Sequence, residues 1–443
     1  MIDVFRQRLR EAWARSDRIF ELAPRDRWLE RPIDLRHPIL FYIGHLPAFA
    51  WNQVGAGLLG NGAAHPVFDE LFERGIDPIA DDGHDAGIEW PPIDEVLAYR
   101  DRVRERLLDL VEEVVARTGG DRLADRGRIL NVVLEHEYMH QETLQYMFSE
   151  LPAGTLRKPA GLAEYALGPD SPPGIVEVGA GEAVLGADFD AVDFGWDNEF
   201  PQHRLPVAGF CIDRVPVTIK RWREFVDAGG YRRPELWLDD DWRWRERSGL
   251  DHPPRWRNDG GDGWRYRTLF DVLDLDLVGG WPVAVSLAEA RAWCRWTETR
   301  LPTEAELHHA LYGTPDGTLR RFPWGDEAPV PGVHGNFGFV NWSPVPVGSH
   351  PLGESAWGLL DTVGSLWQWT ESQFAPFPGF DAYIPSYPGY STDFFDHRHF
   401  VMLGGSWATP APLVRRSFRN WFQDRYPYVF AGFRTVSRSG SCD

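Results

Sequence analysis

The sequence contains little cysteine: only three occur among 443 residues, at positions 211, 294 and 442. They lie far apart and none forms a Cys-x-x-Cys pair, which argues against a zinc site built from thiolates. Few, scattered cysteines are also typical of proteins that work in a reducing compartment. We therefore expect a cytoplasmic protein in which Cys211 and Cys294 are buried packing residues.

Positive charge is also scarce relative to negative charge. The chain has 46 Lys and Arg residues against 66 Asp and Glu residues, which gives a net charge of −20. Nucleic acids and anionic membranes are bound through basic surfaces, so neither is an expected partner. No apolar run approaches the length of a membrane span. The first twenty residues predict a charged amphipathic helix and not a secretory signal.

Hydrophobic residues, at 43% of the chain, are abundant enough to fill the cores of two or three domains. In the first part, apolar residues recur every three to four positions, which predicts long helices. These segments are residues 4–23, 38–59, 93–118 and 127–151. Four such helices favour a four-helix bundle, a scaffold that places metal ligands between facing helices.

Residues 152–174 are rich in Pro, Gly and Ala, a composition that predicts a linker. The pattern of apolar residues changes after this stretch. Beyond it, short apolar runs are interrupted by Gly, Pro and Asp, and few helical segments occur. No periodic repeat is present. We therefore predict an α-helical bundle over residues 1–165 and an irregular α+β domain with much loop over residues 166–443.

Two histidines, His136 and His140, lie four residues apart in the last predicted bundle helix. At this spacing their side chains are neighbours on one helix face. Two neutral imidazoles so placed can bind a divalent metal, although a hydrogen-bonded helix pair has the same spacing. The stretch "HEYMH" also matches the H-E-x-x-H pattern of zinc proteases, in which Glu137 would be the base. A third ligand is needed to decide between these alternatives.

The second predicted helix carries a candidate third ligand, His45, among apolar neighbours. In isolation such a residue is typical of a core histidine with a hydrogen-bond partner. On a bundle helix, however, it could face His136 and His140. Three neutral ligands would leave up to three positions of an octahedral metal open and would keep the centre cationic. This arrangement favours iron(II) over a closed structural zinc site.

Motifs along nearly the whole chain occur in a characteristic combination. The first part contains "GHLPAFAWN" and "HEYMHQETL", and the second contains "RLPTEAE", "FPWGDE", "WGLLDTVGSLWQWTES" and "LGGSWAT". Together they resemble the ergothioneine-type sulfoxide synthases and the related selenoneine synthases. The resemblance implies a DinB-like four-helix bundle followed by a C-type-lectin-like, formylglycine-generating-enzyme-like domain. It also implies that His45, His136 and His140 hold one non-haem iron(II), and it weakens the protease alternative.

The resemblance implies a reaction that joins sulfur or selenium to an imidazole carbon of hercynine with the use of O2. Such an oxidoreductase needs an acid, and a tyrosine is suitable because it is uncharged at neutral pH and has an ionisable O–H. The stretch "YPGYS" resembles the tyrosine-containing loop of the family, so Tyr387 is the expected acid and Tyr390 a substrate contact. Tyr383 is a further candidate, and all three would otherwise be surface-loop aromatics.

The remaining substrate-binding residues implied by the resemblance are Met139, Asn420, Trp421 and Phe422. Trp421 could stack on an imidazole or face a quaternary ammonium group, or it could simply pack in the core. Phe422 stands where mycobacterial-type members have an aspartate that helps to hold the amino group of glutamyl-cysteine. This departure indicates a different donor.

A second departure from those members lies in residues 70–90, where the family resemblance implies arginines that hold the donor carboxylates. This segment has one arginine, Arg74, and seven acidic residues. A thiol peptide with two carboxylates would meet like charges there, so a neutral or weakly charged donor is expected, such as a selenosugar or cysteine.

The stretch "RHPILFYIGH" looks closer to the 5-histidylcysteine synthases, which usually carry an extra methyltransferase domain that these 443 residues do not contain. Compact selenoneine synthases resemble the chain in all these respects. The expected function is therefore iron- and O2-dependent formation of a C–Se, or C–S, bond on hercynine. The alternatives are an ergothioneine-type or 5-histidylcysteine sulfoxide synthase and, outside this class, a non-catalytic lectin-like binding protein.

Overall fold

The structure, a computed structural model, describes residues 1–73, 88–117, 121–168, 174–258 and 263–437. The chain folds into two compact units, Met1–Pro159 with Ala382–Tyr390, and Ala160–Asp381 with Ser391–Asp443. A short segment from late in the chain therefore groups with the N-terminal helices. Arg74 and most of the acidic stretch around it, which bear on the expected donor, lie outside the described residues.

The first unit is a bundle of helices. Helices α1 and α2 each pack against both α4 and α5, so the four form a closed ring. The bundle predicted from apolar periodicity is confirmed. The helices are α1 (Ile2–Phe20), α2 (Ile39–Ala50), α3 (Pro66–Leu71), α4 (Ile93–Ala116) and α5 (Arg128–Phe148), and a π-helix (Trp51–Leu58) continues directly from α2.

The outer and inner helices of this bundle differ in how much of their surface is apolar. Helix α4 buries a stripe that recurs every three to four residues, from Val96 through Tyr99 and Val103 to Val114, and leaves its charged face exposed. Every residue of α2 is buried. Helix α5 is buried along nearly its whole length. Polar residues on α2 and α5 are therefore held in the interior of the bundle, away from water.

The second unit is a mixed α+β domain with long irregular connections, as predicted. Its helices are α6 (Ile219–Asp227), α7 (Asp239–Ser248), α8 (Leu287–Trp296) and α9 (Glu304–Tyr312). Its strands are β1 (Ile175–Val178), β2 (Gly181–Leu185), β3 (His203–Val207), β4 (Phe210–Asp213), β5 (Trp256–Arg257), β6 (Arg265–Arg267), β7 (Val272–Asp274), β8 (Thr299–Arg300), β9 (Trp367–Gln373), β10 (His399–Leu403), β11 (Asn420–Gln423), β12 (Ala431–Gly432) and β13 (Val436–Ser437).

These strands form small sheets, in the orders β1-β4-β13-β8, β11-β10-β9-β12, β2-β3 and β5-β6-β7. Strand β12 pairs with β9 in parallel, whereas β10 pairs antiparallel with both β9 and β11. The register between β10 and β11 places Phe400 opposite Phe422 and Met402 opposite Asn420. Strand β11 thus presents the predicted substrate residues from the edge of a short sheet.

Buried arginines hold the irregular part of the second unit together. The Arg434 guanidinium is fully buried and donates to the main-chain oxygen of Asp361 at 2.7 Å and to Oε1 of Gln368 at 2.6 Å. Arg419 forms a buried ion pair with Glu304, 2.7 Å from Nε to the carboxylate. Because loop carbonyls away from water need donors, these side chains replace the ladders that a regular sheet would supply.

The cysteine predictions are partly correct. Cys294 on α8 is buried, as expected of a packing residue. Cys211 on β4 is also buried, but it is disulfide-bonded, which the spacing of the cysteines did not indicate. The cysteine content therefore gives no support to the expected cytoplasmic location, which remains a prediction. In the described ranges, no helix combines the length and the apolar character needed to cross a membrane.

Candidate metal centre

The structure brings His45, on α2, together with His136 and His140, on α5. Each offers a ring nitrogen within 4.8 Å of those of the other two. The Nε2 atoms of His136 and His140 are 3.1 Å apart, and the His45 ring centroid is 5.0 Å and 4.9 Å from theirs. Within the described residues, no other group of three His, Cys, Asp or Glu side chains is close enough to hold a metal ion.

Burial keeps these three imidazoles uncharged. Each is at most 3% exposed, and burial lowers the pKa of His45 to about 4. Burial also lowers the pKa of His136 and of His140 well below the usual value, and the neighbouring histidines lower both further. A neutral imidazole with a free lone pair is the form that binds a divalent metal. At neutral pH no proton has to leave before a metal can bind.

The orientation of His45 is fixed by one main-chain hydrogen bond. Its Nδ1 lies 2.7 Å from the carbonyl oxygen of Phe72, and because a carbonyl only accepts, Nδ1 must carry the proton. The lone pair is then on Nε2, which is buried and makes no hydrogen bond. A buried nitrogen without a partner is costly, and a bound metal would remove that cost. The site therefore fits a metal ion held by three imidazoles.

The Phe72 carbonyl is held in place by contacts of the short helix that precedes it. The Asp69 carboxylate on α3 accepts from the main-chain N–H of Ala64 at 2.7 Å and from the hydroxyl of Tyr99 at 2.7 Å. The Phe72 ring packs so closely on α2 that a Cβ atom at Gly44 would lie 2.5 Å from it. Glycine at position 44 therefore permits the approach that brings the Phe72 carbonyl to His45.

Aromatic rings surround the histidines. The Phe49 ring is stacked on His136, with centroids 3.6 Å apart and an interplanar angle of 11°. Phe41 is stacked on His45 at 5.0 Å, and Tyr42 lies 5.6 Å from His140. These contacts limit rotation of the imidazoles and exclude water from their surroundings, which is the physical cause of the lowered pKa values.

Tyr387 lies beside the histidines, and it belongs to the first unit because the segment 382–390 does. Its ring centroid is 5.6 Å from that of His136 and 4.8 Å from that of Phe49, in both cases edge to face. Burial raises the pKa of Tyr387, so the phenol stays protonated at neutral pH. The Tyr390 ring is stacked on Tyr387 at 6.2 Å. Tyr383 contacts Arg122 instead, with the guanidinium carbon 5.1 Å from its ring centroid.

Glu137, the expected base of the zinc-protease alternative, is turned away from the histidines. Its carboxylate accepts a hydrogen bond from Ser16 on α1 at 2.5 Å, and Gln141 donates to Ser16 at 3.0 Å. Burial raises the pKa of Glu137. A protease of that kind needs the glutamate beside the metal, so this interpretation of "HEYMH" is wrong, and Glu137 instead joins α5 to α1.

The other predicted substrate residues belong to different elements. Met139 is half-buried on α5, between His136 and His140 in sequence. Asn420, Trp421 and Phe422 belong to the second unit, on β11. Their assignment to substrate binding remains a prediction.

The contacts of Trp421 favour the packing alternative. Its ring lies 5.2 Å from Phe374, 4.2 Å from Phe394 and 5.1 Å from His399, and it packs against the hydrophobic core of the second unit. Phe422 is stacked on Tyr426 at 5.3 Å, and the Asn420 side chain accepts from the main-chain N–H of Trp421.

Two parts of the site were not predicted from the sequence. Phe49 follows His45 by four residues, so the helical spacing that linked the histidines could also have placed this ring beside them. The Phe72 carbonyl gives no such signal, because every residue offers the same main-chain acceptor whatever its side chain.

Replacing Gly44 with Ala should weaken metal binding without removing a ligand. The added methyl group would displace the Phe72 ring and with it the carbonyl that orients His45. We expect a loss of stability of about 1–3 kcal/mol from overpacking and a roughly 10-fold or greater loss of iron affinity. Urea unfolding and anaerobic iron titration measure the two effects.

Gly62→Ala is the matched control, because nothing lies within 4 Å of the position its Cβ would take. This variant should keep its iron affinity. Equal iron affinity in Gly44→Ala and the control would contradict the role given to Phe72.

Comparison with known proteins places these features in a family. Residues 8–144 match the DinB superfamily and residues 164–439 match the sulfatase-modifying factor enzyme 1-like domain. A hercynine oxygenase of Mycolicibacterium smegmatis is 38% identical over 78% of this chain and 78% of its own length. One from Mycolicibacterium thermoresistibile is 35% identical over 92% of this chain and 89% of its own. Ergothioneine biosynthesis protein 1 of Neurospora crassa is 28% identical over 96% of this chain and 56% of its own length. The chain therefore belongs to the ergothioneine-type sulfoxide synthase family, with a DinB domain followed by a sulfatase-modifying-factor-like domain.

Proposed function

We propose that the protein is a mononuclear non-haem iron(II) enzyme that uses O2 to join a chalcogen to an imidazole carbon of hercynine. The observation that carries this proposal is the cluster of three buried, uncharged histidines with Tyr387 beside it. The names of the bacterial relatives, hercynine oxygenases, support hercynine as the acceptor substrate.

The donor set supports iron(II) as the metal. Three imidazole nitrogens from two helices leave coordination positions for substrates, and no thiolate or carboxylate among the described residues completes the cluster. When bound, iron(II) would supply the one-electron chemistry that O2 requires and would hold hercynine and the donor near each other. His45 would bind through Nε2, since its Nδ1 proton is donated to Phe72.

The residues around the histidines have separate tasks. Phe41 and Phe49 keep the imidazole planes fixed and keep water out, which limits side reactions of O2. Tyr387 holds a proton at its phenolic oxygen at neutral pH, because burial disfavours the phenolate. A neutral acid in that position places no charge in the apolar site before it reacts, and it can deliver a proton during oxygen activation, which leaves the phenolate.

We further propose that the donor is a selenosugar or another weakly charged chalcogen compound. Phe422, stacked on Tyr426, offers an aromatic surface where a carboxylate would be needed to hold the amino group of glutamyl-cysteine. The second candidate is sulfur transfer from cysteine or glutamyl-cysteine, which is supported by the Neurospora relative's role in ergothioneine biosynthesis. Both candidates share the acceptor, the metal and the acid.

Each of His45, His136 and His140 should be required for iron. Loss of a residue that hydrogen-bonds to a ligand typically lowers metal affinity by about 10–100-fold. Replacement of a ligand itself by Ala should lower the iron affinity by at least as much. Iron content after anaerobic loading and product formation from hercynine are the measurements. His203→Ala, at a partly exposed histidine on β3, is the control and should bind iron normally. Full iron occupancy in the three variants would refute the assignment and would revive the lectin-like alternative.

Replacing Tyr387 with Phe should uncouple the reaction. The ring contacts with Phe49 and His136 are kept, but the proton is lost, so formation of the coupled product should fall by roughly 10²–10⁴-fold. Oxidation of the donor alone should then account for most of the O2 consumed. The measurement is O2 uptake together with product analysis by mass spectrometry.

Tyr390→Phe serves as the control for Tyr387→Phe, because the Tyr390 ring is stacked on Tyr387, whereas the Tyr387 ring contacts His136 itself. It should keep most of its coupling. If Tyr390→Phe is uncoupled and Tyr387→Phe is not, the acid is Tyr390.

The donor is decided by comparing kcat/KM for a selenosugar, cysteine and glutamyl-cysteine with hercynine held constant. We expect the weakly charged donors to be preferred, because the amino group of glutamyl-cysteine would face Phe422 without a carboxylate to hold it. Phe422→Asp should move the preference toward glutamyl-cysteine. A wild-type preference for glutamyl-cysteine would instead establish the sulfur alternative.

A further inference from the structure

The segment that carries Tyr387 has no regular structure of its own beyond a single 3-10 turn at Pro388–Tyr390. It returns to the first unit from the far end of the sequence. A catalytic acid on such a segment needs side-chain contacts that fix its position. Tyr383 contacts Arg122, and the contacts nearest to Tyr387 described below come from the helix that carries His45.

The π-helix Trp51–Leu58 extends α2 beyond Phe49 and places Gln53 one turn after that residue. Glycines make this wider winding possible. A Cβ at Gly57 would lie 2.7 Å from the carbonyl oxygen of Asn52, and one at Gly55 would lie 2.7 Å from the Trp51 ring. π-helical turns inside longer helices are frequent at functional sites.

Gln53 makes a two-way hydrogen-bonded pair with the residue that precedes Tyr387. Its Oε1 accepts from the Ser386 hydroxyl at 2.5 Å, and its Nε2 donates to the Ser386 main-chain oxygen at 3.4 Å. Gln53 is 7% exposed, so its amide group is shielded from water, whereas Ser386 is exposed. Phe49, one turn earlier on the same face, contacts the ring of Tyr387 itself.

We infer that Gln53 is a positioning residue, which holds Ser386 and thereby keeps the Tyr387 ring beside His136. The same continuous helix, α2 with its π-helical extension, thus carries a proposed ligand, His45, and sets the place of the proposed acid. The catalytic consequence of this inference rests on the proposed function, whereas the positioning itself does not.

The positioning is tested on the metal-free protein by hydrogen exchange of peptides covering residues 382–390. Gln53→Met keeps the length of the side chain and removes both hydrogen bonds, so exchange in this segment should become roughly 5–30-fold faster. Exchange in α5 should not change. Gln7→Met, the same replacement at an exposed position on α1, is the matched control.

Ser386→Ala provides a second variant at an exposed position, where loss of the bundle fold is not expected. It removes the hydroxyl but keeps the main-chain oxygen that Gln53 contacts, so its effect should be smaller than that of Gln53→Met. The double variant should exchange like Gln53→Met alone. Unchanged exchange in Gln53→Met, or effects of the two replacements that simply add, would overturn the inference.

Turnover gives an independent readout with the iron-loaded enzyme. Gln53→Met should bind iron normally and yet show the uncoupling expected of Tyr387→Phe, with a larger effect on kcat than on the KM for hercynine. If neither the wild-type protein nor any variant turns over hercynine, the proposed function fails. The positioning of the segment, which the exchange experiment tests, is then still decided by that experiment. If coupling is normal in Gln53→Met although exchange is faster, the catalytic role of the contact is refuted.

Discussion

The first unit depends on one constraint: three uncharged imidazoles must be packed in the interior of the bundle, away from water. A histidine removed from water loses hydration at both ring nitrogens. For His45 this cost is met at Nδ1 by a main-chain acceptor, and the Nε2 atoms of His136 and His140 face each other at 3.1 Å. Helix α2 must be apolar all round to bury His45, and α5 must be nearly so to bury its pair. The stacking of Phe41 and Phe49 follows from the same requirement, since only flat apolar rings fit against imidazoles without offering competing hydrogen bonds.

This constraint also explains the position of the remaining parts of the site. The Phe72 carbonyl reaches His45 because α3 is fixed through Asp69 and because Gly44 leaves room for the Phe72 ring. Tyr387 can be neutral beside His136 because the surroundings disfavour both a phenolate and an imidazolium. A charged acid in the same place would protonate a ligand or demand a counter-ion, and either would disturb three neutral donors.

Local patterns in the sequence were sufficient to predict the bundle and its histidines. Apolar periodicity located α1, α2, α4 and α5, because each buries a continuous face. Helical spacing made His136 and His140 a candidate pair, the place of His45 on a bundle helix made it a candidate third ligand, and the family resemblance joined the three. Helix α9 was missed, although Thr303 and Glu306 form a capping box that signals its start.

Long-range features could not be predicted in this way. No residue pattern shows that 382–390 returns to the first unit, that Gln53 meets Ser386, or that a main-chain oxygen orients His45. In the second unit, buried Arg434 donates to loop carbonyls that are far apart in sequence. The packing of Trp421 against the core likewise depends on Phe374 and Phe394, which come from other parts of the chain.

X-ray absorption at the iron edge of the anaerobically loaded protein tests the central claim most directly, because it counts imidazole ligands from their characteristic scattering. We expect three imidazoles in the loaded protein and no sulfur ligand before the donor is present. Fewer than three imidazoles would contradict a three-histidine iron centre.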